Sequence, residues 1–198
     1  MSAPRIVLGI AGASGAALGL SVAKQLSALG AQIDLVTSNA AKRTIGAECG
    51  PDAYEHLTSL VSRVHPVNDI GASIASGSVP VFGMIIAPCS MRSLAAISHG
   101  LDDNLLIRAA TVQLKERRKL ILLARESPLT LAHLRNMTQA SEMGAIIMPP
   151  APAFYLSPQT VHEIVEQIAA RAIDLLGIAK PIAASWKGKE QTVLLDSS

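Results

Sequence analysis

Short runs of apolar residues alternate along this chain with longer segments in which apolar residues recur every three or four positions. The first run covers residues 5–10, and an apolar stripe with helical spacing begins at Leu18, after a glycine-rich turn. A short apolar run bounded by turn residues indicates a buried strand, and the wider spacing indicates an amphipathic helix. The chain is therefore predicted to begin with a strand, a turn at residues 11–15 and a helix at residues 16–29.

Further strands and helices are predicted along the rest of the chain. The apolar runs that predict strands are residues 32–37, 84–87, 120–124 and 145–148. The segments with helical spacing are residues 102–118, 130–143 and 160–176, while Ser38 and Ser90 are placed to cap two more helices. Strands that alternate with helices pair in parallel through right-handed crossovers. The order predicts an α/β fold of one domain, with a doubly wound, mostly parallel sheet of five strands sandwiched by helices, Rossmann-like or flavodoxin-like.

Three segments lie outside this alternation. Residues 64–80 and 149–158 are rich in proline, glycine or serine, and their apolar residues predict ordered, functional loops. The chain after Pro181 holds the only tryptophan, Trp186, followed by a polar stretch. We expect one domain at residues 1–181 and a C-terminal arm or tail at residues 182–198.

The composition limits the functions open to this chain of 198 residues. Hydrophobic residues make up 49% and charged residues 16%, which excludes a disordered chain and predicts a homo-oligomer with surface buried between subunits. The formal charge is +2 and no basic stripe interleaves with aromatics, so nucleic acid is not an expected partner. No apolar run approaches the ~18 residues of a membrane span. Cys49 and Cys89 are too far apart for a CxxC motif, and two cysteines favour a reducing cytoplasm.

Small hydroxyl residues follow several of the predicted strands. Ser14 lies in the turn after the first strand, Ser38 after the second, Ser90 after the third, and Arg125 after the fourth. The carboxyl ends of parallel strands share one edge, where helix N-termini offer free N–H groups to anions. One such serine would be an ordinary helix cap. Three of them with an arginine predict a phosphate site.

The glycine-rich turn allows two kinds of nucleotide. Gly12, Gly15 and Gly19 fit a dinucleotide fingerprint, and Lys42 with Arg43 could serve the extra phosphate of NADP. However, the second strand ends in Thr-Ser-Asn and lacks the acidic residue that binds the ribose of NAD. A flavin mononucleotide, with one phosphate and no adenosine, fits better.

A second anion site is predicted from Lys115, Tyr155 and Arg171. Each has an alternative interpretation. Residues 115–118 could be the ordinary cationic end of a helix, which the helix dipole favours. Arg171 flanks the apolar stripe of the last long helix and could simply extend its charge to solvent, although a guanidinium there is suited to clamp a carboxylate or phosphate.

Taken together, these motifs resemble those of one family over nearly the whole chain: the flavin prenyltransferases of the UbiX type, within the homo-oligomeric flavoproteins. The matching segments are GASGA (12–16), TSNAA (37–41), IASGS (74–78), PCS (88–90), NLLIRAA (104–110), LKERRKL (114–120), RESPL (125–129), GAIIMPPAPAFY (144–155) and Trp186. The combination of LKERR, RESP and PAPAFY in this order is specific to that family.

The resemblance implies an activity. Such a protein joins reduced FMN to dimethylallyl monophosphate, building a fourth ring between N5 and C6 of the flavin, and the prenylated FMN serves a separate UbiD-type decarboxylase of aromatic or unsaturated acids. The resemblance also implies that no metal is needed and that the subunits form a dodecamer with flavin sites at subunit junctions.

The resemblance further implies roles for individual residues. The expected FMN-binding residues are Gly12, Ala13, Ser14, Ser38, Ser90, Met91, Arg92, Ser93 and Arg125, with Ser14 near the flavin N5. Lys115, Tyr155 and Arg171 would bind the prenyl phosphate. The aromatic ring of Trp186 could stabilise the allylic cation, or it could serve only as a docking anchor for the tail. Glu48 and Glu126 match acidic positions with proposed roles in proton handling and in orienting neighbouring groups, although Glu126 could equally be a salt-bridge partner of Arg125. Ile70 departs from the family, since some members have tryptophan there, which puts the lining of the prenyl pocket in question.

Two alternatives stay open at this point. One is an FMN-dependent cysteine decarboxylase of similar fold, although its PxMNxxMW signature is absent from this chain. The other is a noncatalytic flavin-binding partner of a decarboxylase, which would have no need of a second phosphate clamp. Fold alone does not decide between them.

Overall fold

A sheet of six parallel strands forms the centre of the protein, seen in a computed structural model that describes residues 3–186 and Gly188. The strands are β1 (Arg5–Ile10), β2 (Gln32–Thr37), β3 (Arg63–His65), β4 (Gly83–Cys89), β5 (Lys119–Ala124) and β6 (Ile146–Ile147). Their order across the sheet is β3-β2-β1-β4-β5-β6. The predicted α/β class, with a doubly wound parallel sheet in a single domain, is confirmed.

Within residues 3–186 and Gly188, seven α-helices cover both faces of this sheet. They are α1 (Ala16–Ala28), α2 (Asn39–Cys49), α3 (Ala53–Ser59), α4 (Met91–Ser98), α5 (Leu105–Lys115), α6 (Leu131–Glu142) and α7 (Val161–Leu176). Alternate residues of a strand face opposite sides. Ile6 and Leu8 therefore pack with α1, α2, α3 and α7, whereas Val7 packs with α4, α5 and α6. Consequently α5 and α7 lie on opposite faces of the sheet.

The prediction of five strands was wrong by one. β3 consists of Arg63, Val64 and His65, a triplet with no apolar periodicity, and it pairs with β2 at the edge of the sheet. The His65 ring is hydrogen bonded to the buried carboxylate of Asp34 at 2.7 Å, which helps to hold this short strand. Its identity as a strand therefore depends on long-range contacts.

The predicted helix at 102–118 is shorter in the structure, and the short helix α3 was not predicted. α5 begins after Asn104, whose side-chain oxygen accepts a hydrogen bond from the N–H of Ile107 at 3.1 Å. It ends before Arg117, which has a positive φ of 58°. Asn104 supplies the N-cap because a short polar side chain can satisfy a free N–H group of the first turn.

The loop between β3 and β4 is held against the sheet and α5, as the apolar residues within it predicted. Ile74 is buried. Arg108 donates to the carbonyl of Ala75 at 3.2 Å, and Arg118 donates to the carbonyls of Gly77 and Val79 at 2.7 and 3.1 Å. Arg118 is thus used to fasten this loop.

Within the described part of the chain, none of the helices combines the length and the apolar character needed to cross a bilayer.

Candidate functional site

The strand order reverses its direction between β1 and β4. From β1 the chain moves outward to β2 and β3, and from β4 it moves the other way to β5 and β6. In such sheets the crevice for ligands opens at the carboxyl ends of the two strands on either side of the reversal. The segments that follow β1 and β4 are joined at this edge by a hydrogen bond from the N–H of Ala11 to the carbonyl of Pro88, at 3.1 Å.

The glycine-rich turn after β1 touches the start of α2. A Cβ added to Gly12 would lie 2.4 Å from the Cβ of Ala40, so only glycine lets the two segments approach this closely. Ser38 caps α2, since its hydroxyl accepts from the N–H of Ala41 at 3.0 Å. The N–H groups of Asn39 and Ala40 have no acceptor within the helix and are available to an anion.

A second helix start faces the same edge, at α4. Ser90 caps it by accepting from the N–H of Ser93 at 3.2 Å, and its hydroxyl donates to that of Ser93 at 3.0 Å. The guanidinium of Arg92 forms an ion pair with Asp103. The first turn therefore offers the N–H groups of Met91 and Arg92, whereas the side-chain charge of Arg92 is already balanced.

The start of α1 is occupied by a carboxylate of the protein itself. Glu48 Oε2 accepts hydrogen bonds from the N–H groups of Gly15 and Ala16, each at 2.8 Å. Burial by itself would raise the pKa of Glu48, but hydrogen bonds from Ser14, Ala16 and Gly15 and the nearby charge of Arg125 outweigh it and lower the pKa. A dinucleotide pyrophosphate at the α1 start would have to displace this carboxylate, which argues against the dinucleotide interpretation.

Arg125 follows β5 and completes the edge. Its N–H donates to the carbonyl of Cys89 at 3.0 Å, and its exposed side chain lies near enough to Glu48 to affect the pKa of that group. Glu126 Oε1 accepts from the N–H of Ser127 at 3.0 Å. Over residues 3–186 and Gly188, no ion pair joins Glu126 to Arg125, so the salt-bridge interpretation of Glu126 finds no support in the geometry.

Cys89 ends β4 directly below the α4 start but offers no nucleophile. Its side chain is fully buried, and desolvation raises the pKa of the thiol to about 12. At neutral pH the thiol is protonated and unreactive.

A separate cavity of 460 Å³ lies beside α7. Tyr155 and Arg171 line it, and so does Trp186, whose ring meets that of Tyr155 edge-on with 5.4 Å between the centroids. The cavity thus combines a guanidinium, a phenol and an aromatic wall, and it contains two of the three residues of the predicted second anion site. Ile70 lies outside this lining and is 60% exposed in the loop between β3 and β4.

The predicted third member of this anion site, Lys115, lies elsewhere in the chain. It is the last residue of α5, on the face of the sheet opposite α7, and pairs with Glu116. A Cβ on Gly77 would lie 2.5 Å from its Nζ, which places Lys115 at the loop between β3 and β4. One chain therefore does not bring Lys115 to Tyr155 and Arg171, because α5 carries it to the amino-end edge of the sheet.

The sequence interpretation missed two residues beside this cavity, Gln167 and Asp174. Both lie on α7 and bond to the backbone of residues 182–184. Their spacing from Arg171, four residues before and three after, was a detectable signal, since such positions share one helix face. Trp186 is thus on a docked segment. The division at 181 stays a prediction, and residues 187 and 189–198 of the expected arm lie outside the described residues.

In the residues that the structure describes, no three His, Cys, Asp or Glu side chains come together in a group that could hold a metal ion. The expectation of a metal-free reaction stays a prediction.

Comparison with known proteins gives a consistent result. A model of the Flavoprotein family matches residues 1–173. The chain is 48% identical over 193 residues to the flavin prenyltransferase UbiX of Thauera aromatica, which covers 98% of this chain and 99% of that relative.

Two solved structures are also similar over almost the whole chain. The crystal structure of AnUbiX (PadA1) in complex with FMN and dimethylallyl pyrophosphate has a TM-score of 0.91 and 41% identity, covering 96% of this chain and 100% of that one. A dodecameric FMN-dependent Ubix-like decarboxylase from Escherichia coli O157:H7 has a TM-score of 0.88 and 43% identity, covering 93% and 100%.

Proposed function

Because the chain belongs to the Flavoprotein family and, within it, to the flavin prenyltransferases of the UbiX type, we propose that it prenylates reduced FMN at N5 and C6. The prenyl donor is dimethylallyl monophosphate. The observation that carries this proposal is the presence of two separate anion sites in one chain. One is formed by the starts of α2 and α4 at the carboxyl ends of the strands, and the other is the cavity of Arg171 and Tyr155. A protein that only carried flavin would need the first alone.

The sheet edge fits a flavin mononucleotide. The close contact of Gly12 with Ala40 brings the glycine-rich turn next to the start of α2, and the N–H groups behind Ser38 and Ser90 are available to an anion. Arg125 adds a positive charge next to them. We assign the FMN phosphate and the isoalloxazine to this edge, with Met91, Arg92 and Ser93 contributing the first turn of α4 and Ser14 lying near N5.

The cavity beside α7 fits the prenyl donor. Arg171 and the Tyr155 hydroxyl would bind the phosphate, because a guanidinium and a phenol stabilise the charge that grows on a leaving phosphate. The faces of Tyr155 and Trp186 would stabilise the allylic cation and exclude water from it. The apolar part of the donor would lie against these rings.

The reaction balances without a further reactant. The allylic C–O bond breaks, the phosphate leaves with the electron pair, and the allylic carbon bonds to N5. The N5 proton passes to the phosphate, and a proton is returned to the remaining prenyl double bond. C6 then bonds to the resulting tertiary cation and its proton passes to phosphate, so that one proton is released overall and the flavin gains C5H8. The products are prenylated FMN in its reduced form and inorganic phosphate.

Glu48 does not suit the role of proton donor at neutral pH. Its pKa is lowered by the hydrogen bonds at the α1 start and by Arg125, so it stays a carboxylate. We assign it the role of holding the Ser14 hydroxyl and the glycine-rich turn in place. The released phosphate, a basic oxyanion, is the better base for the flavin protons. Glu126, exposed beside Arg125, is the remaining candidate for proton handling.

Lys115 would reach a prenyl phosphate from a second copy of the chain. It lies on the face of the sheet opposite Arg171, so the two act on one phosphate only if they come from different subunits. Such an arrangement requires a homo-oligomer, and the similar protein from Escherichia coli O157:H7 is a dodecamer. We infer the same twelve-subunit assembly, with active sites at the junctions.

The product is expected to pass to a UbiD-type decarboxylase in the cytoplasm. The support for this recipient is the family resemblance. A purified decarboxylase of that type without cofactor would gain activity on an unsaturated acid only when the prenylated flavin is supplied.

The test of the prenyl transfer is an anaerobic incubation of the purified protein with reduced FMN and dimethylallyl monophosphate, followed by mass spectrometry of the released flavin. A gain of C5H8, also in the presence of a chelator, supports the proposal and the metal-free reaction. A parallel sample with dimethylallyl pyrophosphate measures donor preference. Unmodified FMN that stays bound contradicts the proposal, and decarboxylation of a cysteine-ended peptide would then identify the cysteine decarboxylase.

A further inference from the structure

Three polar side chains line one face of α7, at Gln167, Arg171 and Asp174. The spacings of four and three residues put them in one row along the helix. Arg171 lies in the middle of this row, between the other two. All three line the 460 Å³ cavity. The flanking pair therefore lies next to the guanidinium that binds the prenyl phosphate in the proposed function.

Asp174 binds the backbone of the segment that follows Pro181. Its Oδ1 accepts from the N–H of Ile182 at 2.8 Å, and its Oδ2 accepts from the N–H of Ala183 at 3.1 Å. Both carboxylate oxygens are thus used on two successive N–H groups, which fixes the direction in which the chain leaves the helix. Hydrogen bonds to an ionised acceptor are stronger than those between neutral groups.

Gln167 binds the same segment two helical turns away. Its Oε1 accepts from the N–H of Ala184 at 3.1 Å, and its Nε2 donates to the carbonyl of Ala184 at 2.9 Å. This pair of bonds imitates the pairing of two backbone amides. Since α7 rises ~1.5 Å per residue, the two clamping side chains are anchored about 10 Å apart on the helix. The segment from Ile182 to Trp186 is therefore held by α7 over a substantial distance.

These four hydrogen bonds of Gln167 and Asp174, called the clamp below, set the position of Trp186. Two residues beyond Ala184, its ring meets Tyr155 at an interplanar angle of 88° and closes one side of the cavity. The ring itself is 63% exposed, so its own burial provides only part of the energy that holds it there. The four hydrogen bonds of Gln167 and Asp174 hold the segment that carries it.

We propose that Gln167 and Asp174 are positioning residues for prenyl transfer. They hold residues 182–186 along α7 so that Trp186 stays on Tyr155 and the apolar wall of the prenyl pocket is complete beside Arg171. Because the bonds go to backbone atoms, they act whatever side chains residues 182–184 carry. The role of these residues in the prenyl pocket rests on the proposed prenyl transfer, whereas their hold on residues 182–184 does not depend on it.

The experiment uses the fact that Trp186 is the only tryptophan of the chain. Quenching of its fluorescence by acrylamide reports directly on whether the segment is docked. The full-length variants are Gln167→Ala and Asp174→Asn, with Asp174→Glu to restore the carboxylate. Glu166→Gln is the matched control, because Glu166 is on the same helix but bonds to Ser21 and Gln25 of α1.

The proposal predicts three results. Acrylamide quenching rises in Gln167→Ala and Asp174→Asn, and Asp174→Glu returns part of the way. The KM for dimethylallyl monophosphate rises about tenfold in each of the two variants, as expected for the loss of one or two hydrogen bonds, while the Kd for FMN is unchanged. The control variant matches the wild type in quenching and in KM.

Unchanged quenching in both variants would overturn the clamp, and raised quenching with an unchanged KM would overturn its role in the pocket. A loss of FMN binding along with the rise in KM would point to general damage and would also overturn the proposal. If the wild type leaves FMN unmodified, the proposed function fails by itself, while the quenching data still decide whether Gln167 and Asp174 hold the segment.

Discussion

Glu48 Oε2 accepts a hydrogen bond from the N–H of Gly15 at 2.8 Å, so a carboxylate from α2 occupies the start of α1. The helix dipole and the free N–H groups of a first turn favour a negative charge there. The partial positive charge at the α1 start is therefore already balanced by Glu48, a residue of the same chain. An incoming phosphate is left with the starts of α2 and α4, which is the structural reason to expect a mononucleotide at this edge.

The first prediction concerns this carboxylate and pH. The pKa of Glu48 is lowered from its ordinary value of 4.5, so its contribution to stability is present above that value and is lost as the pH falls through the folded-state pKa. Glu48→Gln should lower stability at pH 7 by at most about 1 kcal/mol, since the group is largely exposed. Denaturation measured from pH 7 down to pH 3 should show a weaker pH dependence in the variant. An identical pH dependence would contradict the assignment.

The second prediction concerns the contact between the glycine-rich turn and α2. Gly12→Ala places a Cβ 2.4 Å from the Cβ of Ala40, which should destabilise the fold by about 1–3 kcal/mol and weaken FMN binding. Gly46→Ala, in the same helix, is the control, because nothing lies within 4 Å of the added Cβ. It should stabilise the helix by about 0.5–1 kcal/mol. Thermal denaturation and FMN titration measure both variants, and equal behaviour would refute the contact.

The third prediction separates the two anion sites. Arg171→Ala should lower kcat/KM for dimethylallyl monophosphate by about 10²–10³, because it removes a cation from the leaving phosphate. The Kd for FMN, measured by flavin fluorescence, should not change. Arg135→Ala removes an exposed arginine on α6 and should leave both quantities as in the wild type. Loss of FMN from Arg171→Ala would show that the two sites are not separate.

The fourth prediction follows from the position of Lys115. Lys115→Ala and Arg171→Ala should each retain little activity alone, but co-expressed chains should regain activity, because some junctions combine an intact Lys115 with an intact Arg171 from another subunit. Random mixing predicts recovery to about a quarter of the wild-type rate. Prenylated FMN measured by mass spectrometry gives this value. Mixed oligomers with no recovery would mean that the two residues do not share a site across subunits.

Much of the candidate site could be predicted because its signals are local. A serine at the start of a helix and a glycine in a tight turn are required by the backbone within a few residues, so Ser38, Ser90 and Gly12 could be identified without knowing their neighbours. The contacts of Glu48 could not, since its partners Gly15 and Ala16 precede it by more than thirty residues. The contacts of Gln167 and Asp174 could not be predicted either, because their backbone partners at residues 182–184 come after the end of α7, where the chain turns back along that helix.

The alternation of strands and helices, the parallel sheet and the residues at its carboxyl edge could all be predicted from the amino-acid sequence. These follow from hydrophobic periodicity and from cap and turn chemistry, which act over one helical turn or one strand. Three features emerge only from the folded chain: the edge strand β3, the occupation of the α1 start by Glu48, and the separation of Lys115 from Arg171. Each depends on which elements become neighbours and which face of the sheet a helix covers, and long-range packing sets both.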